Sequence, residues 1–310
     1  MAEAVVSAIP SIHPRARAGA PGSVARKAGR SGTIISDETS VRNETHPSRT
    51  TAGGRRPGAR ESGAMSLSTT RGFILRLDPL SEKDLVAAFL TERDGVVRAA
   101  VRGARGATKR AATLQLLSEV AVTFFRKEGA DLARLDAIEL VRSAFDLASR
   151  EETAMLLPYV AESAATFVPE AEPGDEVYRL VRHVLSALRS GVPAALAARY
   201  FEAWLLRFAG LLPDDVSCAA CGGPLSPGSV RLDPEIPGFV SPECAGRGTI
   251  PVPESARSLL AAIRKGSLPE VAAHPADAGA VAVLDEVARE VRRRFLGHEL
   301  KSYRFLGALG

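Results

Sequence analysis

The sequence lacks long hydrophobic runs and has few cysteines. No stretch approaches the roughly 18 consecutive apolar residues that a membrane-spanning helix requires, and the first residues lack the basic start of a secretory signal. Three cysteines occur among 310 residues, and two of them form a CxxC pair. An odd number in this arrangement favours metal binding in a reducing compartment over a disulfide framework. We therefore expect a protein of the bacterial cytoplasm that does not enter a membrane.

Signatures of catalysis are also scarce. The five histidines are scattered along the chain. His183, which falls among charged residues in a helical pattern, is expected on the surface. A serine nucleophile elbow, a phosphate-binding glycine loop and an HExxH motif are all missing from the sequence. The polar run at 81–84 has the composition of a turn between strands. We predict a protein that is not an enzyme and requires no cofactor.

Charge is distributed unevenly along the chain. The formal net charge is +4, but residues 1–64 hold 10 basic and 5 acidic side chains, while the rest of the chain holds 30 and 31. The sequence pI of about 9.1 therefore reflects the first part of the chain. Residues 96–127 carry seven basic groups against one acidic group, and residues 146–288 carry 11 basic against 19 acidic groups. Such local blocks of one sign steer a polyanion more than the net charge does.

Residues 1–64 have the composition of a segment without a packed core. They are rich in Ala, Gly, Arg, Ser, Thr and Pro and contain no aromatic residue. Such a segment cannot bury enough apolar surface to offset its chain entropy, so we expect it to be disordered. Met65 stands immediately before the first patterned segment, and one interpretation is that translation starts there. The other is a basic tail that contacts nucleic acid or an acidic partner.

Residues 66–145 show the short alternating pattern of β-strands. At 96–101, Val97, Ala99 and Val101 share one face, and Arg98 and Arg102 share the other. Further strands are predicted at 73–77, 85–90, 120–125 and 132–138. Five short strands within about 75 residues indicate a small closed barrel, of which the OB-fold is the commonest kind that binds nucleic acid.

Residues 146–310 change to a helical period. Helices are predicted at 154–167, around 178–188, around 196–208, at 254–264 and at 278–296. A Pro- and Gly-rich insertion that carries the cysteines interrupts them at 213–253. The predicted fold is therefore α+β, with an N-terminal OB-fold barrel followed by an all-α domain that carries a zinc-finger-like insertion.

The basic block at 96–127 is the first candidate site. Lys and Arg neutralise phosphates, and aromatic side chains in an OB-type groove stack on the bases of single strands. Phe124 and Phe125 are adjacent, so one faces the barrel core. The other stacks on a base or, as we favour, caps the barrel against the helical domain. A solvated charged face is the alternative to DNA binding. The predicted DNA-binding residues are Arg98, Arg102, Arg105, Lys109, Arg110, Arg126 and Lys127.

The cysteines form an incomplete metal site. Cys218 and Cys221 belong to a CxxCG sequence, the usual half of a zinc knuckle, because its tight turn aims both thiolates at one point. Cys244 follows, and Arg247, which cannot be a ligand, occupies the position of the expected fourth thiolate. The site either binds zinc with an oxygen ligand or has decayed into an ordinary loop. The candidate oxygen ligands are Asp233, Glu235 and Glu243.

Short stretches along the body of the chain resemble a known family. They read GFIL at 72–75, SEKD at 81–84, VRGAR at 101–105, LQL at 114–116, RYFEAWLL at 199–206, AGLLP at 209–213, CAACG at 218–222 and LKSYRFL at 300–306. Their order and spacing is similar to that of the RecO family of bacterial recombination mediators. The resemblance spans residues 68–306. The sequence departs from the family pattern at Arg247 and in residues 1–64.

The resemblance implies an N-terminal OB-fold, a helical domain and a zinc-binding insertion. It also implies binding of single- and double-stranded DNA, annealing of complementary strands, and loading of recombinase onto strands coated by single-stranded DNA-binding protein. The implied partners are RecR and the acidic tail of that coating protein. No nucleotide hydrolysis is expected.

The leading hypothesis is therefore electrostatic annealing. The barrel holds one strand, and a basic segment near the C-terminus holds a second strand or docks a partner's acidic tail. The residues of this second set are Arg289, Arg292, Arg293, Arg294 and Lys301. One alternative is a protein-interaction adaptor whose helical domain is active and whose barrel is a scaffold. Another is a zinc-dependent nucleic-acid enzyme, for which the sequence offers neither an open metal position nor a general base.

Overall fold

The structure is a computed structural model that describes residues 65–105, 112–127, 130–170 and 173–306. These residues have strands in their first part and helices from residue 145 onward, so the predicted α+β class is confirmed. Residues 1–64, for which disorder and an alternative start were predicted, lie outside the described residues. Lys109 and Arg110 also lie outside them.

Within the described chain, five strands lie between residues 65 and 142: β1 (Met65–Pro79), β2 (Leu85–Thr91), β3 (Val96–Val101), β4 (Glu119–Lys127) and β5 (Ala133–Arg142). β1 pairs with β4 through its first half and with β2 through its second half. β3 pairs in parallel with β5, so the strands close into a barrel in the order β1-β2-β3-β5-β4. The interior is filled by alternate apolar side chains such as Ile74, Phe89 and Val122.

Helices follow the barrel: α1 (Phe145–Ala148), α2 (Glu151–Phe167), α3 (Asp175–Arg189), α4 (Ala194–Phe208), α5 (Glu254–Lys265), α6 (Leu268–Ala272), α7 (Ala278–Leu296) and α8 (Tyr303–Leu306). The long helices lie where the periodicity predicts them, although α2 begins one turn early. Glu151 and Glu152 favour that start because carboxylates stabilise the positive end of the helix dipole. In the described part of the chain, no helix combines the length and apolar character that crossing a bilayer requires.

The cysteine-bearing insertion lies between α4 and α5 and contains a small sheet. Its strands are β6 (Val230–Leu232), β7 (Phe239–Val240) and β8 (Ile250–Val252), in the order β7-β6-β8. Leu232, Phe239 and Val252 are buried in the same apolar core as the helices. The insertion is therefore held by the helical part instead of forming a core of its own.

The barrel packs on the helices through the outer faces of β1 and β2. Phe73, Leu75 and Leu90 point away from the barrel interior and join the core that contains Tyr178 of α3. The rings of Phe73 and Tyr178 lie 5.0 Å apart. The Tyr178 hydroxyl donates to the buried carboxylate of Glu119 at 2.9 Å. The barrel and the helices thus share one apolar core.

The predicted cap by Phe124 or Phe125 is wrong. Phe124 is 2% exposed inside the barrel, and Phe125 is partly buried on the outer surface beneath the guanidinium of Arg134. The alternation of β4 does turn Phe125 outward. However, α2 and α3 cover β1 and β2 and leave Phe125 outside the junction.

The prediction that His183 lies on the surface is also wrong. The side chain is partly buried in α3, and its ring lies 5.6 Å from that of Tyr200. Its Nε2 atom accepts a hydrogen bond from the N–H of Leu268, at the start of α6, at 3.2 Å. The short α6 segment carries no clear periodicity, so the sequence pattern did not reveal this contact. Burial lowers the pKa of His183, because it disfavours the charged ring.

Protonation of His183 is expected to destabilise the protein. Because the folded-state pKa lies below the ordinary value, the unfolded chain binds the proton more readily. The contribution of His183 is therefore present above the unfolded-state pKa and is lost as the pH falls. Urea unfolding at about pH 7.5 and about pH 5.5 should show a larger loss of stability for the wild type than for His183→Gln. Equal losses in both proteins would contradict the assignment.

Candidate nucleic-acid surface and thiol cluster

The arginines of β3 point away from the barrel interior, but their surroundings differ. Arg98 is partly buried, and its guanidinium faces the carboxylate of Glu170 at 3.9 Å. Arg102, just beyond the end of β3, is exposed. Arg98 is therefore partly neutralised within the protein, whereas Arg102 is accessible to a phosphate.

The start of the basic loop after β3 is fastened to the turn between β1 and β2. The Gly103 N–H donates to the Asp84 carboxylate at 2.9 Å, which holds the pKa of Asp84 below its usual range. The Arg105 guanidinium donates to the Ser81 carbonyl at 2.8 Å. The 81–84 turn therefore fixes the base of this loop.

A row of outward side chains crosses the barrel next to Arg102. In the strand register, Ala100 of β3 pairs with Arg134 of β5, Arg134 pairs with Phe125 of β4, and Phe125 pairs with Leu67 of β1. The Arg134 guanidinium lies 5.0 Å above the centre of the Phe125 ring. Leu67 is 59% exposed. We call Arg102, Arg134, Phe125 and Leu67 the outer row, which combines cationic, aromatic and apolar groups.

The basic residues at the end of β4 divide between two positions. Lys127 is exposed and, by strand alternation, shares the face of Phe125. Arg126 is partly buried, with its guanidinium 5.7 Å from the centre of the Phe124 ring at the barrel end. Lys127 therefore extends the outer row. The sequence pattern did not single out Arg134, because its segment also contains Asp136 and Glu139. The alternation of β5, which turns Arg134 outward, was the signal that could have identified it.

The second basic set, near the C-terminus, is largely paired within the protein. Arg292 is 2% exposed and contacts Glu202 and Glu299 at 3.1 and 3.0 Å. Arg294 pairs with Glu290 and donates to the carbonyls of Asp233 and Ile236. The predicted assignment of Arg292 to a strand- or partner-binding surface is wrong, because burial removes Arg292 from solvent. The guanidinium of Arg294 is also largely held by internal contacts.

The remaining members of that set lie nearer to solvent. Arg289 is half exposed and pairs with Glu299 at 2.8 Å, and Arg293 is more exposed and pairs with Glu290 at 2.8 Å. Lys301 is exposed. These three residues are the part of the second set that a ligand can reach.

The three cysteines meet in one cluster. The Sγ atoms of Cys218, Cys221 and Cys244 all lie within 4.8 Å of one another. Cys218 is buried and Cys221 is exposed. The Ser241 N–H donates to the Cys218 sulfur at 3.4 Å. Hydrogen bonds from the backbone N–H groups of Ser241 and Cys221 lower the pKa of Cys218 to about 6. The thiolate, which is the form that binds metals, is thereby favoured.

The candidate oxygen ligands do not complete this cluster. Within the described residues, the group of potential metal ligands contains the three thiols and no carboxylate or histidine. The Asp233 carboxylate instead accepts the N–H groups of Glu235 and Ile236, at 2.8 and 3.1 Å. Arg247 is exposed.

The donor set suits a metal such as zinc but is one ligand short. Zn–S bonds of about 2.3 Å place thiolates around one ion about 3.8 Å apart. Thiols already within 4.8 Å of one another therefore need only a small contraction. Zinc normally takes four ligands in such a site. When bound, it would be held by the three cysteines and would tie the two halves of the insertion together.

Together, these features define a barrel-and-helix protein with a knuckle-type thiol cluster. Two family models match it: "Recombination protein O N terminal" covers residues 65–144 and "Recombination protein O C terminal" covers residues 152–304. The chain belongs to the recombination protein O (RecO) family, which confirms the resemblance seen in the sequence.

Full-length relatives agree with this assignment. The "DNA repair protein RecO" of Anaeromyxobacter dehalogenans strain 2CP-1 is 32% identical over 249 residues, which cover 79% of this chain and 98% of that protein. The "DNA repair protein RecO" of Anaeromyxobacter sp. strain K is 33% identical over 242 residues, which cover 77% and 95%. The protein of the same name from Koribacter versatilis is 32% identical over 159 residues, or 50% of this chain and 64% of that protein.

Proposed function

We propose that the protein acts in DNA repair by binding single-stranded DNA on the outer row of the barrel and annealing it to a complementary strand. Its relatives bear the name of a DNA repair protein, which supports the general role. The observation that carries the proposal is the register that sets Arg134 between Ala100 and Phe125, beside the exposed Arg102.

The chemistry of the outer row suits a single strand. Arg102, Arg134 and Lys127 are exposed cations that neutralise phosphates. Phe125 offers an aromatic face on which a base stacks, once Arg134 swings from the ring to a phosphate. Lys109 and Arg110, which follow Arg105 in the sequence, are included in this proposal as DNA-binding residues. Arg98 and Arg105 contribute less because their guanidinium groups already face oxygen atoms of the protein, and Arg126 contributes less because it is partly buried at the barrel end.

The annealing step follows from charge neutralisation. Two complementary strands repel each other through their phosphates, and a cationic surface that holds one strand lowers that repulsion. Arg289, Arg293 and Lys301 are the accessible residues for a second strand or an acidic partner tail. We include in the proposal the loading of recombinase onto strands coated by single-stranded DNA-binding protein, with that coating protein and RecR as partners. No catalytic step is assigned to the chain.

The double variant Arg102→Ala/Arg134→Ala is expected to bind single-stranded DNA more weakly and with a flatter salt dependence. Each lost phosphate contact on a single strand removes about 0.7 from the slope of log K against log salt, so the slope should fall by about 1.4. Fluorescence anisotropy with a short labelled strand over a salt series measures both quantities. Phe125→Ala should instead cost about 1–3 kcal/mol of binding with the slope unchanged, because stacking releases no counterions.

The control for this series is Arg182→Ala/Arg207→Ala, which removes the same charge from exposed positions on the helices. It should bind DNA as the wild type does. If Arg102→Ala/Arg134→Ala also kept the wild-type affinity and slope, the outer row would not be the DNA surface. An assay of annealing with strands coated by single-stranded DNA-binding protein tests the proposed annealing. Normal DNA binding without annealing would support the DNA-binding surface and reject the annealing step.

A further inference from the structure

The first half of the thiol cluster has the backbone of a complete zinc-knuckle turn. The Gly222 N–H donates to the Cys218 carbonyl at 2.8 Å, and the Cys218 N–H donates to the Gly223 carbonyl at 2.7 Å. Gly222, directly after Cys221, has φ of +73°. This left-handed conformation is one that glycine adopts without strain, and it lets the chain turn so that both thiols face one point.

The second half shares one feature of that turn although it lacks the second cysteine. Cys244 and Arg247 have the spacing of Cys218 and Cys221, and Gly248, directly after Arg247, has φ of +74°. The φ values at the two equivalent glycines thus differ by 1°. The glycine that follows Arg247 thus has the same left-handed backbone conformation as the glycine that follows Cys221.

Side chains outside the cluster hold this second turn in place. The Asp233 carboxylate, which is 5% exposed, lies directly beside Gly246. The Thr249 hydroxyl donates to the Gly246 carbonyl at 3.4 Å and itself accepts from the Arg231 Nε at 2.6 Å. These contacts fix the backbone that follows Cys244.

We propose that Cys218, Cys221 and Cys244 bind one zinc ion and leave its fourth coordination position to a small ligand from solution. Within the described residues, no carboxylate or histidine joins the three thiols. Cys221 is exposed, as is Arg247 at the sequence position of the expected fourth ligand, so water or a small thiol can reach the cluster. The Ser241 hydroxyl, which lies near the Cys244 thiol, is the competing internal ligand.

Cobalt(II), added alone to the reduced full-length chain, tests the proposal through its visible absorption. The wild type should bind one equivalent with a tetrahedral spectrum, and added imidazole or mercaptoethanol should shift that spectrum. Arg247→Cys supplies a fourth thiolate, so its spectrum should no longer respond to either additive and its sulfur-to-cobalt charge-transfer band should grow. Zinc affinity should rise at least about tenfold in Arg247→Cys, since even outer-shell partners of a metal are worth about 10–100-fold.

Two further variants keep the outcome unambiguous. Arg93→Cys adds a thiol at an exposed position on the barrel and should behave as the wild type does. Ser241→Ala should give a cobalt spectrum that responds to added imidazole or mercaptoethanol as the wild-type spectrum does; a response that appears only when the Ser241 hydroxyl is removed would identify Ser241 as the fourth ligand and overturn the proposal. Failure of the wild type to bind one equivalent of cobalt or zinc would overturn it as well, as would a wild-type spectrum that ignores added ligands. The additive response of the wild type decides the question even if Arg247→Cys does not fold.

Discussion

Replacing Arg292 with alanine is expected to lower the free energy of unfolding by about 3–5 kcal/mol. Arg292 is 2% exposed, and its guanidinium lies between the carboxylates of Glu202, at 3.1 Å, and Glu299, at 3.0 Å. Glu202 is itself 2% exposed. Removing the guanidinium leaves this carboxylate with one cation fewer in a place where water cannot replace it.

The loss is large because Arg292 belongs to a network that joins several helices. Arg199 of α4 pairs with Glu202 at 2.8 Å, and the Tyr159 hydroxyl of α2 donates to the same carboxylate. The Arg292 guanidinium also lies 4.8 Å from the centre of the Tyr303 ring of α8. Burial raises the pKa of Glu202, while the charges of Arg199 and Arg292 oppose that rise. Without Arg292, Glu202 is driven further towards taking up a proton.

The neighbouring residue on the same helix provides the control. Arg293 has a side chain that is 58% exposed and pairs with Glu290, so Arg293→Ala should change the stability by at most about 1 kcal/mol. Arg292→Met keeps an unbranched apolar stem and removes the charge. Arg292→Met should therefore be nearly as destabilised as Arg292→Ala if the unpaired charge of Glu202 is the cause. Urea unfolding measures all three variants, and equal stabilities of Arg292→Ala and Arg293→Ala would refute the role given to the network.

Arg292 also shows where sequence reasoning stops. The run Arg292, Arg293 and Arg294 has the composition of a basic surface, yet successive residues of a helix point about 100° apart. The direction that faces the core was readable from the apolar pattern. The partners that stabilise the buried cation could not be predicted from this pattern, because Tyr159 and Glu202 come from helices that are distant in the sequence. The same limit applies to His183, whose partner Leu268 lies in the short α6.

The barrel illustrates the opposite case. Alternation alone placed Val97, Ala99 and Val101 inside and Arg98 outside, since a strand's side chains point to its two faces in turn. The spacing of CxxCG likewise predicted that Cys218 and Cys221 would meet. Arg134 escaped notice because its place beside Ala100 depends on a parallel pairing between β3 and β5. Local patterns do not encode such a long-range register, which is set when the barrel closes.

Replacing Tyr178 with alanine is expected to lower the free energy of unfolding by about 3–5 kcal/mol, as for other large aromatic residues in a core. Tyr178 is fully buried at the junction, where its ring packs 5.0 Å from that of Phe73 and its hydroxyl donates to Glu119. The truncation leaves a cavity between the barrel and α3. It also removes the hydroxyl donor from a carboxylate that is 8% exposed.

Two variants separate these contributions. Tyr178→Phe keeps the ring and removes the hydroxyl, so it should cost about 1–3 kcal/mol through the lost hydrogen bond to Glu119. Phe145→Ala, at a side chain that is 66% exposed, should change the stability by about 0.5 kcal/mol or less. A Tyr178→Ala protein as stable as Phe145→Ala would show that the ring does not hold the junction.

The same variant tests whether the junction makes the barrel and the helices unfold together. The chain has a single tryptophan, Trp204, which lies in α4, so its fluorescence reports on the helices, whereas far-ultraviolet circular dichroism sums the helices and the strands, those of the barrel included. In the wild type both probes should follow one transition, because Phe73 and Tyr178 belong to one shared core. In Tyr178→Ala the two transitions should separate, since the cavity weakens the contact that couples them. Coincident transitions at a lower midpoint would show that the remaining apolar contacts of β1 and β2 suffice for coupling.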